Sequence, residues 1–206
     1  MNCPPPEAPA ALPPANPQGS LRDPGGAASG PAEPVPRRPL AAARVDTAWA
    51  VLATVLDPEV PALSLCDLGI VRDVLDSDDG LAVVLTPTYS GCPATEVIEQ
   101  SVVDALTAAG LGPVRVTLQR APAWTTDWIS DEGRRKLRDY GIAPPGPVDA
   151  AAGVPVRLVR RAAAPVACPR CGSMATEQLS AFGSTACKAL YRCTACREPF
   201  EFFKPI

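Results

Sequence analysis

Two cysteine pairs near the end of the chain, Cys168-Pro-Arg-Cys171 and Cys193-Thr-Ala-Cys196, with twenty-one residues between them, constrain its folding more than any other feature. Two residues between cysteines make a tight knuckle whose sulfurs point the same way, and a hairpin-sized excursion brings a second knuckle across from the first. Gly172 follows the first pair, where the chain turns back with little room for a Cβ. The chain has no histidine, so any metal here is held by sulfur or carboxylate. A cysteine-only site points to structural zinc on Cys168, Cys171, Cys193 and Cys196, and less often to a rubredoxin-like iron. Buried thiols or disulfides are the plainer alternative, and paired spacing in so short a segment argues against them.

The start, MNCPPPEAPA, has neither the basic nor the apolar region of an export signal, and the stretch RRPLAAARVDTAWAVLATVL is broken by Arg44 and Asp46. No run reaches the roughly 18 apolar residues of a membrane span. The expectation is a cytoplasmic protein without membrane contact, in a compartment where reduced thiols favour metal over disulfide.

Composition divides the chain. Residues 1–42 hold twelve of the 26 prolines and few large aliphatics, too little apolar surface to offset chain entropy, so they read as a disordered arm. Residues 43–148, with fifteen Asp or Glu against eight Lys or Arg, are long enough for one compact domain. A linker over 149–165 and a ribbon over 166–206 follow, and from 149 onward basic residues outnumber acidic ones eight to four.

Within the central block, Val45, Trp49, Leu52, Val55 and Leu56 recur at helical spacing, and Asp57-Pro58 predicts the stop. Gly69–Leu75 and Leu81–Leu85 read as strands joined by an acidic turn ending in Gly80. A second helix is predicted from Pro93 to about Ala109 with Val97, Ile98, Val102, Ala105, Leu106 and Ala109 on one face. A third strand follows over Val114–Leu118, then a polar helix over Asp131–Tyr140 closed by Gly141. This order predicts a small α/β (α+β) sandwich, helices on a short mixed sheet, followed by the zinc-ribbon-like module.

Between the second strand and second helix lies Thr86-Pro-Thr88-Tyr-Ser-Gly-Cys92-Pro93. Proline suits a first helical turn, which puts Cys92 at or just before the helix start, where free N–H groups and the helix dipole favour a thiolate. A cysteine that merely packs there is an equal reading. A protease-like Cys-His pair is excluded by the absence of histidine.

The segments DPEVPALSLCDLGIVRDV, LAVVLTPTYSGCPATEVIE, RAPAWTTDWISDEGRRKLRDYGIAPP, CPRCGS and FGSTACKALYRCTACREPFEFFK, in that order, resemble the PaaD family of accessory subunits associated with phenylacetyl-CoA epoxidase. The central block alone resembles the wider SufT-like iron-sulfur assembly family. The resemblance covers about residues 43–206. It implies an accessory subunit, not catalytic by itself, that matures or delivers an iron or iron-sulfur centre to oxygenase or reductase partners, with zinc in the ribbon and iron or a cluster only in transit. It also implies that Cys92, Thr88, Asp67 and Glu59 handle the iron or cluster, and that Cys187, in the ribbon's GSTACK segment, is an additional thiol. Homodimer formation stays open.

Three other classes compete with this one. The ribbon could be a docking or scaffold module. Arg170, Lys188, Arg192 and Arg197 with Tyr191 and Phe200 could contact nucleic acid, but four charges make a poor phosphate track, so no nucleic-acid partner is expected. A thiol oxidoreductase needs one exposed pair at a helix start inside a βαβ pattern, which a turn-rich tail does not supply.

Overall fold

The computed structural model describes residues 39–89, 93–148 and 166–206. The arm up to residue 38, the linker over 149–165 and Cys92 lie outside the described residues. Helix α1 spans Pro39–Leu52 and so begins inside the segment read as a disordered arm. Proline is tolerated in a first turn, and the alanine run behind it has high helix propensity. Ala48, Trp49 and Leu52 are buried on one face, continued by Val55 in the following turn. Leu56, read into the same stripe, is 53% exposed. The helix has already ended at Leu52, where Thr54 Oγ1 donates to Val51 O at 2.7 Å, so helical periodicity no longer governs position 56. Arg44, which interrupts the apolar run, ties α1 down by donating to Asp76 Oδ1 at 2.7 Å and to Leu111 O at 2.8 Å.

Strands β1 (Val71–Ser77) and β2 (Gly80–Leu85) pair antiparallel, with Ser77 opposite Gly80 across a two-residue turn. Gly80 has φ +119°, and a Cβ there would lie 2.2 Å from Pro113 O, so both the turn and the approach of the next strand require glycine. Helix α2 (Thr95–Ala108) crosses back to β3 (Val114–Leu118), which pairs parallel to β2, giving the mixed order β1-β2-β3. Ile98, Val102 and Leu106, four residues apart, form the buried stripe of α2. Val97, predicted on that face, is 53% exposed because it lies one residue, about 100°, away from Ile98 around the helix. Helix α3 (Asp131–Tyr140) has Ser130 Oγ accepting from Gly133 N at 2.9 Å at its start and Gly141 at φ +91° at its end.

Directly after Gly141 comes an element the sequence pattern does not announce. Strand β4, Ile142–Ala143, pairs parallel to β7 (Pro199–Phe203), which in turn pairs with β6 (Lys188–Cys193) and then β5 (Thr176–Ser180). The ribbon sheet, order β4-β7-β6-β5, therefore includes a strand from the central block. Phe203 and Cys187 enter the main apolar core with Leu52, Leu63 and Leu85, and Phe203 meets Trp124 with ring centroids 6.3 Å apart. Thr126 N donates to Ile206 O at 3.1 Å, closing the seam from the other side. A smaller cluster at the far end of the ribbon holds Val166, Ala189, Tyr191 and Phe200 around Cys168 and Cys193. No helix among the described residues is long and apolar enough to cross a membrane.

The seam gives a direct expectation. Phe203 is 2% exposed, so Phe203→Ala should lower unfolding free energy by about 3–5 kcal/mol in chemical denaturation. Leu56→Ala, at the half-exposed position, should change it by less than about 0.5 kcal/mol.

Candidate functional site

The four paired cysteines meet at the outer end of the ribbon. Cys168 Sγ lies 3.7 Å from Cys196 Sγ and Cys171 Sγ lies 3.6 Å from Cys193 Sγ, and all four sulfurs fall within 4.8 Å of one another. Sulfurs bound at about 2.3 Å to one tetrahedral ion stand about 3.8 Å apart, close to the observed spacing, so the set suits zinc. Each knuckle turns back through a positive φ, Gly172 at +72° and Arg197 at +66°. Gly172 N donates to Cys168 O at 2.8 Å, and Cys193 N to Glu198 O at 3.0 Å.

The electrostatics of these sulfurs call for a cation. The backbone N–H of Cys196 favours the Cys193 thiolate and draws its pKa down to about 6. At Cys196 the Glu198 amide pulls the same way, but desolvation and the three neighbouring sulfurs push the thiol up to about 12. One thiolate is easily formed, while a further one beside it is opposed until a positive ion neutralises the group.

A second arrangement lies at the seam. Asp57, Glu59, Thr88, Ile98, Cys187 and Phe203 line a cavity of about 20 Å³, enough for one water-sized species. Glu59 and Thr88, expected from the sequence as site residues, are thus brought together, and the ribbon adds Cys187. Cys187 Sγ is 3.0 Å from Thr185 Oγ1 and 4.0 Å from Glu59 Oε2. Asp57 Oδ1 accepts from Glu59 N at 2.9 Å and Val60 N at 2.8 Å. Burial pushes the Asp57 carboxyl up against those two donors, and burial together with the Asp57 charge pushes Glu59 up. Burial likewise raises the Cys187 thiol. Lys188, 3% exposed, pairs with Glu201 at 2.9 Å.

Asp67 is placed differently. Its Oδ2 accepts from Ser64 N, Ser64 Oγ and Lys136 Nζ at 2.9, 2.8 and 2.7 Å, and its carbonyl accepts from Ser130 N. Burial alone would raise its pKa, but Lys136 and Ser64 together hold the carboxyl below its usual range. Asp67 therefore fastens the 64–69 turn to α3 and does not line the cavity. Cys92 lies outside the described residues. The segment before it is positioned by β2, which ends at Leu85. Thr86, 1% exposed, has a hydroxyl with no hydrogen-bond partner among the described residues. Helix α2 has its N-cap at Ala94, one residue beyond the proline read as its first turn. Sequence reasoning marks Asp57 only as a turn residue and does not find Phe203 at the pocket. The available signal is that Cys187 is a fifth ribbon cysteine with no partner at Cys-x-x-Cys spacing.

With the geometry in place, likeness to known proteins narrows the chemistry. Residues 153–204 match the family described as the PaaD zinc beta ribbon domain, and residues 46–118 the family described as iron-sulfur cluster assembly protein. An Escherichia coli (strain K12) protein, provisionally named as one of the subunits of 1,2-phenylacetyl-CoA epoxidase, is 48% identical over 167 residues, 81% of this chain and 96% of that one. A Porphyromonas gingivalis Fe-S protein maturation auxiliary factor is 34% identical over 89 residues, 42% of this chain and 84% of that one. A domain of unknown function DUF59 from Bacillus anthracis overlays with a TM-score of 0.45 at 25% identity, over 48% of this chain and 94% of that one.

The buried carboxylate predicts a pH effect. The folded-state pKa of Asp57 is raised, so the native protein binds more protons than the unfolded chain once pH exceeds the unfolded value of about 3.9. Stability then falls as pH rises through the raised value. Asp57→Asn keeps an oxygen for both amide donors and removes the charge. It should raise the melting temperature by a few degrees at pH 7 and leave it unchanged below about pH 4. Thermal unfolding monitored by circular dichroism across that range checks the sign.

Proposed function

Since the chain belongs to the PaaD family, we propose that it is an accessory subunit of the multicomponent phenylacetyl-CoA epoxidase of aerobic phenylacetate degradation, maturing or delivering an iron or iron-sulfur centre to the oxygenase or its reductase. The observation that carries this reading is the seam pocket, where carboxylates from the iron-sulfur assembly-like block and a thiol from the zinc ribbon face one cavity. Iron is the cargo of such a site, while zinc on Cys168, Cys171, Cys193 and Cys196 is structural. Thr88 and Cys92, on the segment leading into α2, belong with Glu59 in this role. Asp67 contributes by fixing the turn that shapes the site.

The chain is not itself the oxygenase. A carboxylate-bridged di-iron centre in a helical bundle draws on Glu-x-x-His pairs, and the sequence contains no histidine. Glu96 and Glu99 stand at that spacing on α2, toward its solvent side. The catalytic irons and the electron-transfer groups reside on partner subunits, and the cytoplasm is the location that suits reduced thiols.

A docking or scaffold role is the second reading, favoured by the ribbon's outer edge, where Phe182, Met174 and Leu179 are 66, 53 and 50% exposed. One experiment separates the two. Oxygenase and reductase produced without this chain should have a depleted iron or iron-sulfur centre, and adding the chain afterwards to fully metallated partners should not raise turnover. Normal metal content without the chain, with turnover rising on its addition, would replace maturation by docking.

A further inference from the structure

The ribbon's fifth cysteine does not belong to the ribbon's metal. Four sulfurs already complete a tetrahedral set at one end of β6, and Cys187 precedes the other end of that strand, about 20 Å away along six residues of extended chain. There it is 6% exposed and faces the seam cavity. We propose that this cavity is a mononuclear metal site shared by the two halves of the chain, in which Cys187 Sγ and Glu59 Oε2 ligate one thiophilic divalent cation of the ferrous-iron class. The inference rests on the iron-handling reading and sharpens it. The pocket takes single ions, and the ribbon supplies one of its ligands.

Three observations converge on it. The first is spacing. A sulfur at about 2.3 Å and a carboxylate oxygen at about 2.1 Å on one tetrahedral ion stand about 3.6 Å apart. The observed Cys187 Sγ to Glu59 Oε2 separation is 4.0 Å, so a few tenths of an ångström close the pair on an ion.

The second is the placing of two carboxylates on one cavity. Asp57 is 6% exposed and lines the cavity, and both of its hydrogen bonds arrive at Oδ1. Among the described residues no donor reaches Oδ2, and neither Asp57 nor Glu59 has an ion-pair partner. The nearby ammonium of Lys188 pairs with Glu201 at 2.9 Å and also acts through space on Asp57 and Glu59. Two carboxylates lining one cavity repel each other when both are ionised, and a cation between them relieves that repulsion. A mixed thiol and carboxylate set prefers ferrous, cobaltous or zinc ions to magnesium or calcium, which favour oxygen alone.

The third is size. About 20 Å³ holds one water-sized species, which suits a single ion. Binding replaces the Cys187 S–H bond with an S–metal bond and releases one proton to solvent.

Cobalt(II) reports thiolate ligation directly through a charge-transfer absorption. The full chain, with its ribbon already holding zinc, is titrated with cobalt(II) without air, and bound zinc is counted throughout. The expected result is one further cobalt per chain with a thiolate-to-cobalt band, while zinc stays bound. Cys187→Ser should remove that band and weaken cobalt binding by at least the ~10–100-fold that loss of an outer-shell partner costs a metal site. Glu59→Gln should weaken binding comparably and keep the band at saturation. Unchanged zinc content in both variants shows that the ribbon is intact. A wild-type protein that takes no second cobalt, or a Cys187→Ser variant with an undiminished band, overturns the shared site. If partner metallation still depends on the chain in that case, the iron-handling function stands without this pair of ligands.

Discussion

Four sulfurs held within 4.8 Å of one another can all be thiolates only around a positive ion, and the rest of the ribbon depends on that condition. Its private core is small. Tyr191 stacks on Phe200 at 5.8 Å and meets Phe202 edge-on at 5.6 Å, with little beyond Val166 and Ala189 to add. Units this short need a staple because they bury too small a fraction of their surface. A metal on the four sulfurs would fix Cys193 at one end of β6, and the hydrogen-bonded strand runs from there to Lys188, next to Cys187, at the other end. An ion on the four sulfurs would thereby help to position a pocket wall in the main core.

The central block receives this wall on a frame set by close backbone approaches. A Cβ on Gly69 would meet Trp128 O at 2.6 Å, and one on Gly133 would meet Asp67 O at 2.9 Å. These contacts, with the Asp67–Lys136 pair at 2.7 Å and Trp124 Nε1 donating to Leu68 O at 2.9 Å, lock the 64–69 turn between α3 and the seam. Leu68 from that turn and Ile70 directly after it reach the cavity, so Asp67 shapes the pocket without entering it. The cavity joins a wall from the central block to a wall from the ribbon.

Much of this was legible in the chain because the responsible forces are local. Cys-x-x-Cys spacing dictates a knuckle, four-residue apolar spacing dictates the buried stripe of α2, and Ser130 with Gly141 bracket α3 through their own backbone chemistry. What was not legible depends on partners far away in sequence. Ile142–Ala143 is too short to show any period and becomes a strand only because Glu201 and Phe202 lie beside it. Asp67 resembles a site residue by motif, yet its carboxylate is taken by Lys136, 69 residues on. Leu56 and Val97 fit the apolar spacing and are still half exposed, because a helix end and a 100° rotation decide their direction. Cys187 reads as a spare ribbon thiol until the seam places it against Glu59.

The dependence of the pocket on the ribbon metal is tested most directly at that thiol. Cys187 is 6% exposed with the ribbon in place, so a small alkylating reagent, with the modified site mapped by mass spectrometry, should leave it unmodified in the zinc-loaded protein. After the zinc is chelated, the ribbon should lift from the central block, and Cys187 should react at a rate approaching that of the unfolded chain. A Cys187 that stays protected once the zinc is gone, or that reacts equally fast before chelation, would contradict the account.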